Sequence, residues 1–214
     1  MNCKSTVKPN LEQLDDRILP AAHVVSSGGT ASGLTWTLTD TNKFTLIGTN
    51  NDDRISLFGA GTLYVVDGNS PGYYFNTGVA LSPTLRIEVQ GRGGNDYIYN
   101  GLNYWDYDKA TLSGGEGNDL IRAGAGHDTL YGDGGDDCLV GSIGSYGYPA
   151  TMIGGTGSDT FITKSNVFGS DAVQDFDAEE DVAYSGATSW QASAGAAGDT
   201  MTVWLNGQIV WQSS

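Results

Sequence analysis

A nine-residue period constrains this chain more than any other feature. Gly114-Gly115-Glu116-Gly117-Asn118-Asp119-Leu120-Ile121-Arg122 runs directly into Ala123-Gly124-Ala125-Gly126-His127-Asp128-Thr129-Leu130-Tyr131. Gly132-Asp133-Gly134-Gly135-Asp136-Asp137-Cys138-Leu139-Val140 follows without a break. Residues 91–99 form a further unit with Asp96 and Ile98 in phase, and residues 154–162 another with Asp159 and Phe161. Residues 48–56 keep Asp53 and Ile55 but lack the internal glycines. Units this short bury an apolar face only by stacking on one another, so the period predicts a solenoid.

Each position of the unit has a physical reason. Glycines admit positive φ and close backbone approach, so six residues turn tightly with their carbonyls directed inward. The sixth residue supplies a carboxylate, a hard oxygen ligand of the kind calcium prefers. The last three form a short strand whose middle side chain faces the core. The inward positions read Leu46, Ile55, Val89, Ile98, Leu112, Ile121, Leu130, Leu139, Met152 and Phe161, and all are apolar.

The consensus Gly-Gly-x-Gly-x-Asp-x-apolar-x resembles the RTX repeat of the haemolysin-type calcium-binding family over roughly 91–181, and less closely over 44–90. That resemblance implies an all-β fold, a right-handed parallel β-roll (a β-solenoid) in which two units make one turn, here with β-strand caps at both ends. It also implies Ca2+ bound between turns stacked on one edge, held by aspartates and backbone carbonyls.

The insertions decide which turns stack. Fourteen residues separate Tyr99 from Gly114, and thirteen separate Val140 from Gly154. Each gap ends in a strand and counts as one lengthened unit. Alternate counting then puts the turns at Gly91, Gly114, Gly132 and Gly154 on one edge. Metal ligands are expected at Asp96, Asp119, Asp137 and Asp159, and the resemblance adds the carbonyls of Gly115, Gly117, Gly132 and Gly134. Arg92 and Asp133 depart from the pattern, each standing where a glycine is expected. Asp128 falls on the other edge, where a metal site needs Asp106 or Asp108 as partner; the alternative is a solvated turn carboxylate.

Four segments are expected: a flexible 1–32, strands and a degenerate repeat at 33–90 that begin the solenoid, the calcium-binding roll at 91–162, and a cap at 163–214. Within the first, Leu11-Glu12-Gln13-Leu14-Asp15-Asp16-Arg17-Ile18-Leu19 resembles a short export-associated segment that precedes many large bacterial surface proteins; a short amphipathic helix is the other reading. Residues 171–181 resemble the acidic segment that closes the β-roll of bacterial metalloproteases, or else form an acidic surface loop. Residues 202–211 read as a hairpin turning at Asn206-Gly207, with Trp204 and Trp211 placed to cap the core.

Charge and composition exclude other classes. Acidic residues outnumber basic ones 25 to 10, which opposes binding to a phosphate backbone, so no nucleic-acid partner is expected. Residues 91–181 hold sixteen acidic and four basic side chains, and a compact fold with that charge needs counter-ions. Cys3 and Cys138 cannot make a disulfide framework. No apolar run reaches the length of a membrane span. His23 and His127 are the only histidines, neither lies in a zinc-protease pattern, and no Gly-x-Ser-x-Gly elbow occurs, so no enzyme is expected.

The expected function is calcium binding with calcium-driven folding in an exported or cell-surface bacterial protein. The alternative is an adhesin or glycan-binding module, with a surface glycan or another surface protein as partner. Its candidate contacts are Tyr104, Trp105 and Tyr107 in one insertion and Tyr146 and Tyr148 in the other. Both insertions belong to the edge opposite the expected calcium row.

Overall fold

The computed structural model describes residues 24–69, 74–102, 109–142, 148–166, 169–186, 190–194, 196 and 198–213. Among these, no helix occurs and two eight-stranded sheets dominate. Lys43–Ile47, Arg86–Gly93, Ala110–Glu116, Thr129–Gly134, Thr151–Thr156 and Ala172–Val173 pair in parallel in the first sheet. Arg54–Gly59, Tyr97–Asn100, Leu120–Arg122, Cys138–Val140, Thr160–Thr163 and Val182–Ser185 do so in the second. The chain alternates between the two sheets, so each pair of strands is one coil of a parallel β-solenoid.

The period of two along each strand sends alternate side chains inward. The registers stack Leu46, Val89, Leu112, Leu130 and Met152 in one row and Ile55, Ile98, Ile121, Leu139 and Phe161 in the other. All ten are fully buried, as their common phase in the repeat predicts. Each contributes on the order of 1.5–3 kcal/mol of apolar burial before chain entropy is subtracted. At the amino-terminal end, antiparallel strands Val24–Gly29 and Thr35–Thr39 extend the first sheet, and Thr62–Asp67 and Tyr74–Ala80 the second. Trp36 stacks on Phe44 and, with Leu34, closes the core there.

The hairpin at 202–212 forms as expected, with Asn206 and Gly207 at φ of 51° and 81°, the left-handed pair that a tight turn requires. Its position differs from the expected cap on the core. With Trp190–Ser193 it makes a three-stranded sheet on the outer face of the second sheet. Met201, Val203 and Trp211 pack there against Leu120, Cys138, Val140 and Ile162. Those four flank the inward residues in sequence and so face away from the main core. Being apolar, they need cover, and the added sheet supplies it. The equivalent outward positions of the first sheet include Thr111, Ser113, Thr129 and Thr151, which are content in water.

Candidate metal centre

The turns that carry the chain from the first sheet to the second all lie on one edge, and their sixth residues form a ladder. Asp96 Oδ1 accepts the backbone N–H of Asp53 (2.7 Å), Asp119 Oδ1 that of Asp96 (2.7 Å) and Asp137 Oδ1 that of Asp119 (2.8 Å). Asp159 Oδ1 accepts from Asp137 (3.0 Å), and Asp181 Oδ1 from Asp159 (2.9 Å). One oxygen of each carboxylate thereby ties two coils together.

The second oxygen behaves differently along the row. Oδ2 of Asp96, Asp119 and Asp137 is buried without any hydrogen-bond partner. At the ends the protein satisfies it: Asp53 Oδ2 accepts from the N–H (2.6 Å) and hydroxyl (3.1 Å) of Thr49, and Asp181 Oδ2 from the N–H of Asp177 (2.8 Å). A buried carboxylate oxygen without a donor is costly, and a cation is its natural complement.

Burial pushes the carboxyls up, to about 8 for Asp96, about 9 for Asp119, about 8 for Asp137 and about 6 for Asp159. After burial, the largest influence raising Asp119 further is the neighbouring Asp137 carboxylate. Both causes disfavour the charged form, and a divalent cation reverses both.

Glycine makes room for this arrangement. A methyl group on Gly91 would collide with Asp96 Oδ2 and the carbonyl oxygen of Gly114, and one on Gly132 with Asp137 Oδ2 and the carbonyl of Gly154. A carboxylate oxygen and a carbonyl of the next coil thus share the space that a Cβ would fill. Arg92 and Asp133 occupy second positions of their turns at φ of 89° and 76°, where Gly115 and Gly155 stand in the neighbouring coils at 113° and 103°. The two departures from the repeat are therefore held in a region that side chains rarely adopt. Of the other carbonyls expected to take part, that of Gly134 accepts the N–H of Gly117 (2.8 Å).

Asp128 lies on the opposite edge and differs in kind. Its Oδ2 accepts from Gly124 N (2.7 Å) and Asn100 Nδ2 (3.0 Å), and its Oδ1 from Ala110 N (3.1 Å). Protein donors thus engage both oxygens. The proposed partners Asp106 and Asp108 lie outside the described residues, as do Tyr104, Trp105, Tyr107 and Tyr146. Tyr148 is described and stacks on His127, with 4.3 Å between ring centroids. Asp171 repeats the Asp128 arrangement two strands on, accepting from Ala150 N (2.8 Å), Lys164 N (2.8 Å) and the Ser142 hydroxyl (3.0 Å).

Sequence reasoning missed a second ladder beside the first. The fifth residues of the same turns link through Asp52 Oδ1 to Asn95 N (2.7 Å), Asn95 Oδ1 to Asn118 N (2.8 Å), Asn118 Oδ1 to Asp136 N (2.9 Å) and Asp136 Oδ1 to Ser158 N (2.9 Å). The signal was available, since the fifth position is Asp or Asn in four of these five turns. The consensus hides it by writing that position as variable.

Orphaned buried oxygens, the Cβ-sized cradles and an all-oxygen donor set fit a hard cation rather than zinc or copper. Among the described residues no three Asp, Glu, His or Cys side chains converge, and each cradle instead combines carboxylate with backbone carbonyl. Fold and edge together define a parallel β-roll with an aspartate-lined edge. Residues 111–146 match the family model of the RTX calcium-binding nonapeptide repeat (4 copies), and RTX repeats bind Ca2+. No curated protein and no solved structure matches the chain significantly.

Proposed function

We propose that this chain is an exported or cell-surface bacterial module, non-catalytic, whose folding is driven by calcium held along the Asp96–Asp119–Asp137–Asp159 edge. The carbonyls of Gly115, Gly117, Gly132 and Gly134 complete the expected ligand set. One observation carries the reading: the unpartnered, buried Oδ2 atoms of Asp96, Asp119 and Asp137 in successive coils. Bound calcium supplies the positive charge that these stacked carboxylates lack, so its binding energy becomes folding energy. Extracellular modules bind calcium at about 10⁻⁴–10⁻³ M, which keeps such a chain loose in a cytosol and folded outside it. Far-ultraviolet circular dichroism of the full chain, titrated with calcium chloride after chelation, tests this. A calcium-dependent gain of β-structure is expected; a fully β-structured chain that melts cooperatively in excess chelator overturns it.

The second reading, a calcium-stabilised adhesin or glycan-binding module, draws on the stack of His127 with Tyr148, a residue of the second insertion. Aromatic faces at a solenoid edge suit sugar rings. A glycan array in calcium checks it, with Trp105→Ala and Tyr146→Ala abolishing any signal while folding persists.

A further inference from the structure

The three-stranded sheet spanning 190–212 grips the roll through the fifth-residue ladder. The Arg54 side chain, 4% exposed, donates to the carbonyls of Asp53 (3.1 Å) and Asn95 (2.9 Å), which belong to two stacked turns of the metal edge. The same guanidinium donates to the carbonyls of Ala194 (2.7 Å), Ala196 (3.1 Å) and Asp199 (3.2 Å) in the flanking segment. Gly198 N donates to Asp52 Oδ2 (3.0 Å), and Trp211 Nε1 to the Asp136 carbonyl (2.9 Å). Asp52, Asn95 and Asp136 are all fifth residues, and each directly precedes a rung of the carboxylate ladder.

This placement couples the two features. The Asp136 carbonyl that anchors Trp211 belongs to the peptide bond whose N–H is that of Asp137, and that N–H donates to Asp159 Oδ1. Asn95 lies between the Arg54 contact on its carbonyl and the Asp96 N–H held by Asp119. A turn that splays apart because its carboxylates repel one another cannot present these carbonyls in register. Between the anchors, the flanking sheet buries Cys138 under Met201, Val203 and Trp211, and Trp190 stacks on the Arg122 guanidinium at 4.3 Å.

We propose that this flanking sheet is a clasp thermodynamically linked to calcium binding, with Arg54 and Trp211 as positioning residues for the calcium edge. The proposal rests on the calcium reading above. Coupling is reciprocal: calcium that orders the turns favours docking of the sheet, and the docked sheet raises calcium affinity by the same factor.

The full chain carrying Cys3→Ser leaves Cys138 as its single thiol and provides the test. Calcium affinity is read by calorimetry, and docking by the rate at which a thiol-reactive disulfide dye labels Cys138. In this parent, calcium protects the thiol, and the midpoint of protection coincides with that of binding. Arg54→Gln shifts both midpoints to higher calcium by about tenfold, within the usual span of coupling between sites. Trp211→Phe, which keeps an aromatic ring while losing the N–H and part of the indole's packing, shifts both in the same direction by less and guards against simple unfolding. Parent-like calcium affinity in both variants overturns the proposal, as does a Cys138 labelling rate indifferent to calcium. A parent that binds no calcium overturns the calcium reading itself, which is a different result from bound calcium without coupling.

Discussion

Asp119 Oδ1 accepts the backbone N–H of Asp96 at 2.7 Å while the other oxygen of the same carboxylate is buried with no donor. The two oxygens therefore have separable roles, one holding coils together and one lying where a Cβ on Gly114 would stand. Asp119→Asn keeps an oxygen for the ladder and removes the charge. It should leave more β-structure in the calcium-free chain, since an unsatisfied buried polar group costs roughly 1–3 kcal/mol, and weaken calcium binding. Circular dichroism in chelator paired with calorimetry checks both signs; less β-structure than the parent in chelator would make the carboxylate purely structural.

Asp128 should answer differently, because donors from Gly124, Asn100 and Ala110 already engage both of its oxygens. Asp128→Ala orphans buried N–H groups and should cost the calcium-loaded fold about 2–4 kcal/mol. Calcium stoichiometry should stay unchanged, whereas Asp137→Ala should lower it. A fall in stoichiometry for Asp128→Ala would assign that residue a cation after all.

The raised carboxyls set a pH dependence whose sign follows from proton uptake. In the calcium-free fold, Asp96, Asp119, Asp137 and Asp159 bind protons up to about 8, 9, 8 and 6, whereas the unfolded chain releases them near the usual value of about 4. The native state thus holds more protons than the unfolded one between these limits, and stability falls as pH rises through the window. Calcium-free protein should retain most β-structure near pH 4 and least at pH 9. Calcium affinity should run the other way, since protons compete for the same oxygens. A circular dichroism signal for β-structure in chelator that grows from pH 5 to 8 would contradict the buried, unpaired state of these groups.

Arg92 and Asp133 sit at positive φ where the neighbouring coils use glycine. Left-handed backbone costs a side-chain-bearing residue about 1–2 kcal/mol, and glycine avoids most of it. Arg92→Gly should raise stability in calcium by about 1 kcal/mol through the backbone alone. Asp133→Gly should also leave more β-structure in chelator, because the Asp133 charge pushes up the Asp119 and Asp137 carboxyls. Equilibrium denaturation of both variants measures this, and no gain from Arg92→Gly would show that its side chain holds the turn.

The nine-residue phase by itself determined which side chains face inward and which turns stack. A strand alternates with a period of two, and each insertion adds one whole unit, so Leu112, Leu130 and Met152 have a single way to line up. It also marked out Asp96, Asp119, Asp137 and Asp159, because their carboxylates recur at one position of the turn. Only the tertiary structure decided where the ladder stops. Asp53 and Asp181 continue it without the full glycine pattern, and Thr49 and Asp177 donors close it, which are contacts that no spacing rule encodes. The place of the 190–212 sheet was likewise hidden. Its hairpin is local and legible, but its docking depends on Arg54 reaching Ala194 and Asp199, more than a hundred residues away in the chain. Periodicity reports what a residue does within its own coil, whereas packing against distant segments follows from outward-facing apolar positions such as Leu120 and Val140 finding whatever cover the rest of the chain supplies.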